Sequence, residues 1–497
     1  MKMLNLFIVL AIANAVGAQC PSGYIQLDTS DTLSTKVNSS RSPSMFCFTG
    51  GVYRNQSITP RGGDVYVVAA GATADMNGSV VIPSSQFAQT GRLWIAPTTA
   101  ELQTSATRGT CATSSPKCNQ PNDLFLDNVA LIPQSSKANV KAHGQWFFDS
   151  TNGEIVLFDD PTGHTVELST TAHAFVGSTD NVTINGASSA SGYGLIVEKY
   201  AAPTSTGAIE ECPGPCSNNW TVENTEIRLN HAYGLSVGKA STTLKSNIHH
   251  NGQSGVGANG GPNILVQNTE IAFNNTLGYD YNWEAGGSKF HNTSNLVLKG
   301  NYVHDNKGPG LWSDGDNIYV TYDSNTLANN VAAGILHEIS FDAVIKNNTS
   351  KGDGYGTPGT SCYWGSAIAV NDSPNVEIYG NTIVNGQNGI CAEQSDRGSS
   401  RTHNQPYRIE NLNVHNNTII QNSSTATATA IVQIGTGNAV YAQWNNRCNS
   451  NTYVVANPST SSLFRWMDKA VSFAQWQSYG NDIRGSIAIC SSENSCQ

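Results

Sequence analysis

The chain has 497 residues and a formal net charge of −10, with 12% charged residues, 38% hydrophobic residues and 47 glycines. The 26 Lys and Arg against 36 Asp and Glu argue against a binder of nucleic acid or of anionic membrane surfaces, both of which depend on clustered cations. The low charge density argues against disorder, and the length suits one long all-β solenoid as well as several domains.

The chain opens with Lys2, a mostly apolar run over residues 4–16, and the small-residue sequence Val16-Gly17-Ala18. This reads as an export signal over 1–18, with the mature chain starting near Gln19. The run is too short to span a bilayer, which takes ~20 apolar residues, and no later segment supplies them. The expectation is a secreted, extracellular monomer with no membrane or nucleic-acid partner. Eleven cysteines beyond the signal suit an oxidising compartment. Their spacing suggests Cys111–Cys118 and Cys212–Cys216 staples, with Cys20–Cys47 and Cys362–Cys391 as longer pairings and one thiol left over. Sequons such as those at Asn38, Asn55, Asn181, Asn219, Asn274, Asn292, Asn371 and Asn422 make a glycoprotein an option. Neither HExxH nor paired CxxC motifs occur, so no metal site or cofactor is expected.

Residues 19–95 read as an N-terminal region leading into short strands and turns, including Val65-Tyr66-Val67-Val68. Residues 96–165 break that pattern as a small β-rich insertion. From 166 to 445 the pattern resumes, and from about 220 an Asn-x-x-x-x-x-Asn motif recurs before a small residue and an apolar strand. Its first Asn falls at 224, 247, 268, 301, 325, 348, 381 and 417, a base period of 21 to 24 residues interrupted by longer loops. Short Val/Ile/Leu strands between Asn and Gly turns exclude the helical solenoids and fit a right-handed parallel β-helix. Residues 446–497 form its C-terminal cap, with a short helix between Trp466 and Trp476.

Aligned on the small residue before each strand (Gly234, Gly255, Gly310, Gly334, Ala367 and Gly389), Leu235, Val256, Leu311, Ile335, Ile368 and Ile390 point inward. Four places after the small residue, Gly238, Asn259, Asp314, Glu338, Asn371 and Glu393 form an outward column. Asp314 and Glu338 lie on adjacent rungs, ~4.8 Å apart, close to the ~5–5.5 Å between the carboxyl groups of a retaining glycosidase. Stacked like charges also raise one pKa, leaving a proton donor beside an ionised nucleophile. Around them, Trp283 and Trp312 offer faces for sugar stacking, and Lys289 and His304 offer hydrogen bonds to hydroxyls. Glu284, placed on the rung before Asp314, is a reserve carboxylate. Glu393 is expected either to contact a neighbouring sugar or to remain solvent-exposed. His337 is a further candidate contact, although its alignment with Val370 and Ala392 also reads as a core position.

The segments Trp283-Glu284-Ala285-Gly286-Gly287-Ser288-Lys289-Phe290, Asn301-Tyr302-Val303-His304-Asp305-Asn306, Gly308-Pro309-Gly310-Leu311-Trp312-Ser313-Asp314 and Gly334-Ile335-Leu336-His337-Glu338-Ile339-Ser340 resemble secreted right-handed β-helix proteins of the carbohydrate-active kind. The likeness is greatest to the β-helical glycoside hydrolases and covers roughly residues 45–450. In β-xylosidases of that architecture an Asp and a Glu on adjacent rungs act as nucleophile and acid/base, which implies those roles for Asp314 and Glu338 on a polysaccharide or oligosaccharide. The Gly-His-Gly and Arg-x-Lys motifs of polygalacturonases are absent, as is the Asp-Pro-His motif of alginate epimerases. The alternative is a lyase acting on a uronic-acid polymer, with calcium at Asp314, Asp316 and Glu338 and with Lys289 or Arg397 as base or clamp. A non-catalytic carbohydrate-binding surface protein is the third reading.

Overall fold

Strands in this chain pair with the strand one turn later, in parallel, and each turn adds to three ladders. The computed structural model describes residues 19–100, 108–187, 192–356, 362–423, 425–435, 437–457 and 463–490. The export signal expected at 1–18 therefore lies outside the described residues.

The first ladder includes Tyr233–Ser236, Ser254–Pro262, Gly286–Ser294, Pro309–Asp314, Ala333–Glu338, Ser366–Asn371, Asn388–Gln394 and Thr429–Gln433. The second runs through short strands such as Val297–Lys299, Ile318–Asp323 and Phe341–Lys346. The third is a separate 13-stranded sheet ending at Ser486–Ile489. The first two merge into one 25-stranded sheet, because the nine-residue strands Ser254–Pro262 and Gly286–Ser294 carry the pairing round the corner.

Alternation along each strand sends every second side chain inward. Leu235, Val256, Leu311, Ile335, Ile368 and Ile390 are all buried in one continuous core, as expected. The turns are held by asparagine. Asn301, Asn325, Asn348, Asn381, Asn417, Asn451 and Asp482 stack rung upon rung, each amide Nδ2 donating to the side-chain oxygen of the next at 2.9–3.0 Å. A second ladder joins Asn230, Asn251, Asn274, Asn306, Asn330 and Asp353.

At the first three recurrences of the motif, the ladder lies one residue away from the asparagine. Asn224 and Asn268 occupy left-handed turn positions (φ 52° and 51°), which asparagine tolerates, and Asn247 opens a strand. The ladder passes instead through Thr225, Ser246 and Thr269, where the Ser246 and Thr269 hydroxyls accept the backbone N–H of the preceding rung. Two expected sequons also fail as glycan acceptors in the folded chain, since Asn274 and Asn371 are buried.

The insertion is wider than expected. Two sheets leave the coil, an antiparallel one containing Ser79–Ile82, Leu124–Leu126 and Val166–Ser169, and a mixed one in which Ala88–Thr90, Leu93–Pro97, Glu154–Leu157 and Gln145–Asp149 pair antiparallel and Ile132–Pro133 joins Gln145–Asp149 in parallel. They enclose their own core around Trp146, Phe148, Ile155 and Leu168. At the other end the coil runs past the cap boundary expected at 446, through Thr452–Val455 and Ser486–Ile489. The helix Phe473–Ser478, capped by Ser472, drives Trp476 into the last turn. Among the described residues four disulfides form, Cys20–Cys47, Cys111–Cys118, Cys212–Cys216 and Cys362–Cys391, and Cys448 is a free, buried thiol. No helix among them is long and apolar enough to cross a membrane.

Several carboxyls are trapped between rungs. Burial pushes Glu210 and Asp353 up to about 6, Glu393 to about 7 and Glu211 to about 8. These values exceed the ~4 of the unfolded chain. The folded chain thus binds more protons than the unfolded one between roughly pH 4 and 8, and stability falls as pH rises through that window. The melting temperature is expected to be higher near pH 5 than near pH 8, which a thermal scan across buffers checks.

Candidate active site

The outward column of the first ladder is where the ionisable residues meet. Asp314 and Glu338 are direct register partners, followed by Asn371 and Glu393. On the other side of Asp314 the column continues to His291 and Asn259, whose side chains lie 3.1 Å apart. His291 is on the turn beginning at Gly286, whose small residue is Gly287. It falls four places after Gly287, the same spacing as Asp314 after Gly310.

The two central carboxyls have different surroundings. Asp314 is half-buried, and its Oδ2 contacts Lys289 Nζ at 2.7 Å. Lys289 is itself buried; it sits 4.0 Å above the Trp312 ring and donates to the Trp283 carbonyl. Glu338 is buried, accepts from Trp312 Nε1 at 3.1 Å and from Arg397 Nη1 at 2.9 Å, and lies beside the Tyr363 phenol. Burial first, then the Asp314 charge, push the Glu338 carboxyl up, against the opposing pull of Tyr363 and Arg397.

Loops from several turns build the walls. Tyr363 and Trp364 roof Trp312, and the Cys362–Cys391 disulfide pins this segment to the ladder. Residues 395–408 form a strap reaching back along the coil. Ser395 bonds Asp372, Arg397 bonds Glu338, and Thr402 and Tyr407 bond Asp316. Arg108, from the Cys111–Cys118 side, pairs with Glu284 at 3.1 Å and lies over the Trp283 ring. Neither Arg108 nor Tyr363 carries a sequence signal, because both come from loops outside the repeat.

Several expected site residues are placed differently. Trp312 is only 1% exposed and so offers no free ring to a sugar. Trp283 is half-buried between Arg108 and Tyr279. His304 lies on the third ladder, between Glu270 and Asp305, away from the column. His337 points into the core against Tyr322, and burial pushes it down to about 3, so it is a neutral core residue. Glu284 belongs to the short helix Tyr281–Glu284, not to the rung before Asp314. The three carboxylates assigned to calcium do not converge: Asp314 faces Lys289, Glu338 faces Arg397, and Asp316 is occupied by the strap. Among the described residues no cluster of His, Cys, Asp or Glu suits a metal.

Residues 215–361 match the family described as right handed beta helix region. The chain is a right-handed parallel β-helix. Of solved structures, XylC in complex with xylose is similar over 85% of this β-helix and 80% of its own chain, at 12% identity and a TM-score of 0.55. The A-module of the Azotobacter vinelandii mannuronan C-5 epimerase AlgE6 is similar over 92% and 93%, at 13% identity and a TM-score of 0.49. At such identities the likeness is one of fold. No curated protein sequence matches the chain. Beside Asp314 the β-helix also carries a cavity of about 230 Å³ lined by Arg108, Ser205, Asn259, Glu284, Lys289 and His291.

Proposed function

We propose that the chain is a secreted carbohydrate-active enzyme, a retaining glycoside hydrolase with Asp314 as nucleophile and Glu338 as acid/base. The observation that carries this reading is the register pairing of two carboxyls with opposite environments, one against a lysine ammonium, the other buried and pushed up. Asp314 attacks the anomeric carbon while Glu338 gives its proton to the departing glycosidic oxygen. The Glu338 carboxylate then takes a proton from the water that releases the sugar from Asp314. Trp312 Nε1–H and Arg397 hold the Glu338 carboxyl in place for both steps. Lys289 and Arg397 are each committed to a carboxylate, which leaves neither free as the base of a lyase. The disulfides suit export, and the shared fold of XylC, solved with xylose, makes neutral xylan fragments a sensible first substrate.

The test is incubation with neutral and uronic polysaccharides, with and without a chelator. New reducing ends on a neutral polymer, unaffected by chelation, are expected. Ultraviolet-absorbing unsaturated ends would replace this reading with a lyase, and binding without any product would leave a surface protein.

A further inference from the structure

We infer that the outward face of the second ladder carries a separate surface site, where the Tyr319 ring stacks on a sugar of a neutral polysaccharide. Along the turns leading into this ladder, Asn263, Asn295, Tyr319, Asp342, Asn375, Asn411 and Asn445 follow one another in register. All hold left-handed backbone, with φ between 47° and 60°. Asn and Asp tolerate that region, and their side chains link rungs: Asn295 donates to Asn263 at 3.0 Å, Asn375 to Asp342 at 2.7 Å and Asn411 to Asn375 at 2.9 Å. Tyr319 breaks the series. A bulky residue is an outlier at such a φ, and a phenol cannot replace the missing amide. Tyr319 is 58% exposed, and among the described residues no hydrogen bond or ring contact holds its side chain. Nothing inside the fold accounts for a tyrosine here, so its role is to meet something outside.

The ring borders a groove of about 400 Å³. Val297, Thr321 and Val344 share one outward column in it, and Asp342, Asn375 and Glu377 line it beside them. An aromatic face and aliphatic groups among hydrogen-bonding side chains suit a sugar, which has apolar C–H faces and hydroxyls at its edge. Among the described residues two carboxylates and no Lys or Arg line the groove, which favours a neutral chain over a polyuronate. The neighbouring Lys299 and Lys346 bear on Asp323, and His415 bonds Glu377. The strap crosses the corner between the two ladders, gripping Asp316 and packing His403 and Tyr407 on Phe341, so the groove and the acid pair occupy different faces. The site takes its ligand class from the carbohydrate reading and needs nothing of Asp314 or Glu338.

The full chain carrying Glu338→Gln, which leaves polymers intact under the hydrolase reading, would be tested by affinity electrophoresis in xylan, soluble cellulose, laminarin, polygalacturonate and alginate. One neutral polymer is expected to retard it. Adding Tyr319→Asn should weaken that binding about tenfold, the scale of one lost stacked ring, while Tyr319→Phe stays within about twofold. The asparagine variant is made in a host that does not N-glycosylate, since the change falls two places before Thr321. Its melting temperature should rise, because the amide series is restored and the left-handed tyrosine is gone, which separates lost binding from misfolding. With Glu338 intact, Tyr319→Asn should slow release of sugar from the polymer and leave turnover of an aryl glycoside unchanged. The inference is overturned if the parent binds no neutral polymer, if polyuronates bind as tightly, or if the two Tyr319 variants bind alike. It is also overturned if light scattering finds a dimer that Tyr319→Asn disperses, since a second copy would then fill the groove. Should the unmutated chain cleave nothing while ring-dependent binding appears, the surface site stands and the hydrolase reading falls; cleavage without ring-dependent binding removes the site alone.

Discussion

Glu338→Gln is expected to lower turnover of an unactivated glycoside by roughly 10³-fold, and Asp314→Asn by at least as much. Glutamine keeps an oxygen for Trp312 Nε1–H but has no proton to give. The two variants should separate on leaving group. An aryl glycoside that departs without protonation restores the first step for Glu338→Gln, which then accumulates a glycosyl-enzyme, whereas Asp314→Asn stays inactive on it. Steady-state kinetics and intact-protein mass spectrometry read both outcomes. Full activity in either variant would remove that residue from the mechanism.

Asn348→Ala is expected to be the most damaging single change to the scaffold. The Asn348 amide donates to the Tyr322 carbonyl and to Asn381 Oδ1, each at 3.0 Å, and its oxygen accepts from Asn325 N and Nδ2, each at 2.9 Å. Alanine orphans several buried groups at once, each costing about 1–3 kcal/mol, so a total of about 3–6 kcal/mol follows. In a solenoid each rung leans on its neighbours, and one broken link weakens the rungs on both sides. The exposed Thr349, next in sequence, is the control: Thr349→Val should shift the urea midpoint little. A comparable loss in both variants would show that the ladder is not what holds the turns.

The coil was readable because its physics repeats. A small residue, an inward aliphatic and an outward polar group recur at each rung, which was enough to put Asp314 beside Glu338 in register. The turn carrying His291 follows the loop 273–285, which interrupts the period and hides its place in the column. Where Thr225, Ser246 or Thr269 takes the place of Asn in the ladder, a neighbouring Asn at 224, 247 or 268 masks the true position. The residues that surround the carboxyls were less legible. Trp312 does face outward, as alternation requires, but nothing in the period announces that Tyr363 and Trp364 fold over it. Likewise His304 is near Trp312 in sequence yet a different ladder carries it, because the chain turns a corner between them. Arg397 stood out only as a possible cation, and its bond to Glu338 depends on how the strap is tied down at Asp316 and Asp372.

Those tie-downs have a consequence for how such a protein changes over generations. The ladders are closed systems, with rung pairing to rung, and they owe nothing to the excursions that leave them. The walls around Asp314 and Glu338 come from three such excursions, one bearing Arg108, one bearing Tyr363 and Trp364, and the strap. Each meets the coil through a few bonds, such as the Cys362–Cys391 link and the grip of Thr402 and Tyr407 on Asp316. Lengthening or exchanging one wall leaves the inward aliphatics and the stacked asparagines untouched, and surface loops tolerate such changes well. A lineage built this way can keep its acid pair and its spine while turning to a new polymer, with little of its sequence left in common with its relatives.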